Sequence, residues 1–280
     1  MKQLEQIVQK LMINGTLTEQ PGLFYGKTGI AVFFFHLARL TGNSVFQEYA
    51  MDLIEEVQKQ ISDKTSAQYD IGIAGIGVGF EYFLQNGFIE AEESDFFGDF
   101  DDRMYRAAMN EPYSGLSLEG GLTGRGRYFI YRLRGDGHKE SKLHKALTHI
   151  AKFISKKINL NKVPEKERPD VYHFFQDITS IPEYAEQYAN SLQQCWEWNC
   201  VREPLTHKLF PYMNNLQRLY ACQNYFNRDL TEEIEKEWEN RQESDINTFT
   251  ETGLLNGWTA EGMLYMTFVH NLDKSWLNLL

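Results

Sequence analysis

Cysteine is scarce in this chain of 280 residues, which has only Cys195, Cys200 and Cys222. An odd, sparse count supplies no disulfide framework and fits a reducing compartment, so a cytoplasmic protein is expected. Basic charge is short as well. The 28 lysines and arginines face 39 acidic residues, for a formal net charge of -11. That balance excludes nucleic acid as a partner, because a phosphate backbone calls for a basic stripe. No apolar run approaches the roughly 18–20 residues needed to span a bilayer. The longest candidate, Ile30–Phe35, is interrupted by His36 and Arg39, so no membrane insertion is expected. The opening MKQLEQIVQKLMI alternates charges through an amphipathic pattern and lacks the apolar core of a signal peptide. A convincing series of alternating strands is also missing. What is present is a 42% hydrophobic, 14% aromatic chain with ample material for a core and a mean hydropathy of -0.47.

The 21 glycines carry a repeat. Four segments align without gaps: GKTGIAVFFFHL from Gly26, GIAGIGVGFEYF from Gly72, GLTGRGRYFIYR from Gly121 and GWTAEGMLYMTF from Gly257. Three have a second glycine three residues on, at Gly29, Gly75 and Gly124, and the fourth has Ala260. Each runs into an apolar, aromatic-rich helix. The interval between Gly121 and Gly257 is close to three periods of about 45 residues, so two degenerate copies are expected near Val171–Ile178 and Phe210–Phe226.

Amphipathic stretches of helical period separate the glycine segments. In Ser44–Ile61, Val45, Phe46, Tyr49, Leu53, Ile54, Val57 and Ile61 share one face, and Glu48, Asp52, Glu55 and Glu56 take other positions. The same period predicts helices over Leu4–Ile13, Asp95–Ala108, Lys139–Ile158, Pro182–Trp198 and Thr231–Arg241. The unit is a polar-faced helix, a glycine turn and a nearly all-apolar helix, repeated about six times. Helices that are apolar on most sides must be surrounded by protein. The pattern therefore predicts an all-α fold of one domain over residues 1–280, an α/α toroid (barrel) of about six helical hairpins. Its inner helices open with GxxG turns. The inner-helix character of Gly257–His270 favours closure over an open array, which would end in polar caps.

The segments GLFYGKTGIAVFFFHLARLTGN, YDIGIAGIGVGFEYFLQNGFIE and LLNGWTAEGMLYM resemble the lanthionine synthetase C-like (LanC-like) proteins. The resemblance covers most of the N-terminal half and the last 30 residues, while Lys139–Arg241 matches in helical rhythm alone. It implies an α/α toroid and, in members of known activity, a zinc-dependent cyclase that adds a peptide cysteine thiol to a dehydrated serine or threonine. In that family a cysteine in a Cys-x-Gly segment and an adjacent Cys-His pair before a GxxG turn hold the zinc, which supplies the thiolate. Here the two residues before each repeat glycine are Phe24-Tyr25, Asp70-Ile71, Glu119-Gly120 and Leu255-Asn256. The family's zinc site is thus expected to be absent, and no metal or other cofactor is expected. Cys195-x4-Cys200 followed by His207 is the clustered alternative, and its spacing falls outside that of a structural zinc knuckle.

Glycine turns at helix starts leave backbone amides able to receive an anion, as well as allowing close helix approach. Residues around them are the candidates for substrate binding: Tyr25, Lys27, Thr28, Asp70, Glu119, Arg125, Arg127, Asn256, Trp258 and Glu261. Glu81 stands where other copies have Phe35, Ile130 and Met266, so it either pairs with a neighbour, Arg132 being the candidate, or lines a cavity. Three functions follow as expectations. The first is a zinc-less LanC-like protein that binds a ribosomally made peptide or assists its modification, the acidic surface suiting a basic leader. The second is a carbohydrate-active toroid enzyme with Asp70 and Glu81 as its carboxylate pair. The third is a noncatalytic interaction scaffold.

Overall fold

A computed structural model describes residues 2–90, 93–135, 141–202, 213–240 and 251–280. The chain is all-helical, with no strand among the described residues. Of the sequence expectations, Lys139, His207, Phe210 and Arg241 lie outside the described residues.

Two kinds of helix alternate. The core helices are α2 (Lys27–Thr41), α4 (Ile73–Gln85), α6 (Leu122–Arg134), α8 (Arg168–Thr179), α11 (Asn215–Phe226) and α13 (Trp258–His270). In α2, every residue from Lys27 to Leu37 is buried, as is every residue of α4 from Ile73 to Phe83. Between them come α1 (Lys2–Leu17), α3 (Ser44–Gln60), α5 (Glu93–Met109), α7 (Ser141–Asn159), α9 (Pro182–Trp196), the short α10 (Asn199–Arg202) and α12 (Thr231–Glu239). These bury one stripe each, as in α7, where Leu143, Ala146, Leu147, Ile150, Ala151, Ile154 and Ile158 repeat at helical spacing. The six stretches expected to be amphipathic helices all fall on such elements.

The two degenerate copies are α8 and α11. Their caps are Glu167 and Asn214, which divide the long glycine interval into three near-equal steps. Neither opens with glycine. Pro169 seats the first turn of α8, and a reciprocal capping box between Asn214 and Gln217 closes the first turn of α11.

The chain divides into two compact units, Met1–Thr65 with Pro211–Leu280, and Ser66–Phe210. In the first, α2 packs along α3, α11 along α12, and α13 against both α1 and α2. A 3-10 turn over Lys274–Leu279 buries Trp276, whose indole N–H donates to Thr267 Oγ1 at 3.0 Å. In the second unit, α6 packs against both α4 and α8, and α7 packs against α5, α6 and α9. No helix among the described residues is long and apolar enough to cross a membrane.

Candidate site at the glycine turns

All four glycine turns share one backbone device. The first amide of each of these four helices donates to the carbonyl seven residues earlier: Lys27 to Gln20 (2.9 Å), Ile73 to Ser66 (2.8 Å), Leu122 to Gly115 (3.0 Å) and Trp258 to Glu251 (3.0 Å). At the next position Thr28 and Thr123 donate their hydroxyls to Pro21 and Leu116, again seven residues back. These bonds favour the structural role of the glycines, close approach of loop and helix, over the anion site that such turns allow. The first amide of each of the four helices is thus satisfied by the loop that precedes it and has no hydrogen left for a phosphate or carboxylate. A Cβ on Gly121 would lie 2.6 Å from the Ser117 carbonyl oxygen, and one on Gly257 would lie 2.5 Å from the Gly253 nitrogen. Glycine is needed because the loop folds back onto the helix start.

Neighbouring turns are joined in a regular way. Asp70 N–H donates to the Glu119 carbonyl at 3.4 Å, and Leu255 N–H donates to the Phe24 carbonyl at 3.3 Å, both two residues before their repeat glycines. A third small position, five residues after the repeat glycine, receives a ring from the next core helix. Gly77 abuts Tyr128, Gly126 abuts Phe174 and Gly262 abuts Phe33. The last core helix, α13, thus meets the first, α2, as α4 meets α6 and α6 meets α8. The spacing of Gly77, Gly126 and Gly262 was present in the aligned segments but was not counted among the repeat's marks.

Lys27, Thr28, Arg127, Trp258 and Glu261 are buried, whereas Tyr25, Asp70, Glu119, Arg125 and Asn256 are half-exposed. In the first unit, Lys27 reaches Glu56 at 3.8 Å, Glu261 accepts from Asn214 Nδ2 at 3.5 Å, and Asn256 takes a left-handed backbone with φ 55°. In the second, Arg125 is turned to the end of α5, where Nη1 donates to the Ala107 carbonyl at 2.8 Å. Burial pushes the Asp70 carboxyl up, against backbone amides that favour its ionised form. The half-exposed candidates at the turns are thus Tyr25 and Asn256 in one unit and Asp70, Glu119 and Arg125 in the other.

Glu81 is paired, as its exceptional place in the repeat implied. It bonds Arg132, which also reaches Asp101 at 3.1 Å, while Tyr128 donates its hydroxyl to Asp101 at 2.6 Å. Glu81, Asp101 and Arg132 are each less than 5% exposed. Burial disfavours the charged guanidinium, but the two carboxylates outweigh it and raise Arg132 further. Asp70 precedes the Gly72 cap and Glu81 lies nine residues into the repeat, about 13 Å further along the axis of α4. The burial of Glu81 and its pairing with Arg132 argue against its serving with Asp70 as the carboxylate pair of the carbohydrate reading.

A second buried network joins α6 and α8. Arg127 Nη2 and His173 Nε2 lie 3.0 Å apart, and Asp177 approaches both. Asp170, in the place of a second glycine, accepts from Leu118 N–H at 2.9 Å. The cavity these side chains enclose, about 10 Å³, has room for no substrate group. Burial opposes ionisation of Asp177, but His173, Arg127 and Arg134 outweigh it and hold its carboxyl below the usual range. Sequence reading selected Arg127 but missed His173, Asp170 and Asp177, because α8 lacks the glycines that mark the register.

Burial, with Arg127 beside it, pushes the His173 imidazole down to about 3; burial and Arg39 push His36 down to about 4. Both rings stay neutral in the fold, whereas unfolded histidine takes up a proton near 6.5. Their contribution to stability is therefore full above about pH 6.5 and drains as pH falls towards the folded values. Urea unfolding from pH 7 to pH 5 is expected to lose about 1.4 kcal/mol per pH unit for each histidine below pH 6.5. Changing His173→Gln should make that slope shallower.

Cys195, Cys200 and Cys222 are buried free thiols. Burial is the main reason all three are pushed up, Cys222 to about 11. A thiol reagent is expected to find no fast-reacting cysteine in the native protein and three in denaturant. Among the described residues, no group of three or more His, Cys, Asp or Glu side chains gathers to hold a metal. Comparison with protein-family profiles and with curated proteins finds no match to the chain.

Proposed function

We propose that this chain is a LanC-like protein that works without the family's zinc, binding a ribosomally made peptide or assisting its modification. The six core helices and their flanking partners would form the α/α toroid of that family. The observation that carries the reading is the last-to-first relation. Leu255 bonds Phe24 as Asp70 bonds Glu119, and Gly262 takes Phe33 as Gly77 takes Tyr128. A last copy that meets the first in the standard way supports a cyclic arrangement of the repeat over an open array.

The buried thiols, and Leu255-Asn256 in place of a Cys-His pair, argue for binding without thioether chemistry. The half-exposed Asp70 and Glu119 would meet a cationic segment of the peptide, in keeping with the net charge of -11. The test is calorimetric titration of the purified protein with small peptides encoded beside its gene, together with metal analysis. Binding that weakens at high salt and in the Asp70→Asn/Glu119→Gln variant is expected. Absence of binding by every such peptide, or stoichiometric zinc held by cysteine, overturns the proposal.

A further inference from the structure

A groove of about 420 Å³ opens in the first unit between α1, the C-terminal end of α2, the start of α3 and the end of α13. Its volume lies within the roughly 300–1,000 Å³ of ordinary ligand sites. Leu4 and Val8 on α1, Leu37 and Leu40 on α2 and Phe46 on α3 make its apolar walls. The polar lining is Glu5, Gln9, Thr41 and His270. Leu40 is 37% exposed, and Val45 and Val269, beside lining residues in the chain, are 52% and 46% exposed. A groove with apolar walls that open at the surface favours an interaction site. The glycine turns are elsewhere, since α2 separates its Gly26 cap from Thr41 by about 22 Å of helix.

Charge selects the occupant. Glu5 is exposed, and no lysine or arginine lines the groove among the described residues. The whole chain carries a net charge of -11, which draws in cations and turns away acidic partners. We propose that the groove receives a basic amphipathic segment of a partner peptide. Leucine- or phenylalanine-sized side chains would fill the space between α1 and α2, and a lysine or arginine would face Glu5. The inference rests on the peptide-binding reading and adds to it a second contact, distant from the turns, that recognises a class of sequence and not a reacting side chain.

The probe is a fluorescently labelled peptide of leucine and lysine in amphipathic helical spacing, with a leucine–glutamate counterpart. Both are titrated into the full chain and its Leu40→Lys and Glu5→Lys variants. Both substitutions are at exposed positions, so circular dichroism should report unchanged folding. The lysine peptide is expected to bind the wild type and the glutamate peptide is not. Leu40→Lys should weaken binding about tenfold or more by placing a cation in the apolar wall, and Glu5→Lys should weaken it by a smaller factor. No binding by the wild type, or equal binding by both variants, overturns the inference. A gene-encoded peptide that binds equally well to both variants removes the groove and leaves the peptide-binding reading standing.

Discussion

Replacing Gly124 by alanine should destabilise the second unit by at least about 3 kcal/mol. The new methyl would fall onto the Leu118 carbonyl oxygen and within 2.7 Å of the Tyr69 Cβ. The carbonyl cannot rotate away, because it belongs to the loop whose turn sets the start of α6. Its neighbours bond to Asp170 and to Thr123, so moving Leu118 disturbs both contacts. Gly98 provides the opposite case. It sits in α5 with open space around its Cα, so Gly98→Ala should stabilise by about 0.5–1 kcal/mol by removing chain freedom from the unfolded state. Urea midpoints of the two variants, at equal m-values, are expected to move in opposite directions. Equal and small shifts would mean that the turn is not held by this close approach.

Arg132→Met should cost about 3–5 kcal/mol, because it strands the buried carboxylates of Glu81 and Asp101 without their shared cation. Glu81→Gln should cost less, since its amide oxygen still accepts from Arg132 and Asp101 still balances the guanidinium. The two variants also differ in their pH dependence. Stranded carboxylates hold protons more tightly in the folded state than in the unfolded chain. The deficit of Arg132→Met relative to wild type should therefore shrink as pH falls from 7 to 5. A loss due to missing packing alone would not change with pH, and unfolding curves at several pH values distinguish the two.

The helical register was legible because Gly26, Gly72, Gly121 and Gly257 each cap a core helix, and the period between them anticipated α8 and α11. Glu81 was legible as an exception to an apolar position, and its pairing with Arg132 followed from charge alone. Other features were not readable. The seven-residue step from helix amide to loop carbonyl leaves no trace in residue type, because any residue has a carbonyl. That step is what favours the structural role of the glycine turns over the anion site they allow. The network of Arg127, His173 and Asp177 was hidden because Glu167 and Asp170 replace the expected glycines in α8. Their carboxylates accept from Leu116 and Leu118 N–H, doing with side chains what other turns do with backbone. Lys27, Arg127 and Glu261 were candidates for substrate binding by their place beside the glycine turns, yet burial was decided by partners far away in the chain.

The pairing of α13 with α2 has a consequence for synthesis. As the chain leaves the ribosome, Phe33 and Gly29 emerge more than two hundred residues before Gly262 and Leu254, their eventual neighbours in unit one. The second unit is one continuous stretch and can close its core while still attached to the translating ribosome. The first unit has α2 ready early but must wait for the last helices, with an apolar surface exposed throughout. Truncation after Phe210 would thus leave a chain in which one unit is complete and the other is a surface for chaperones.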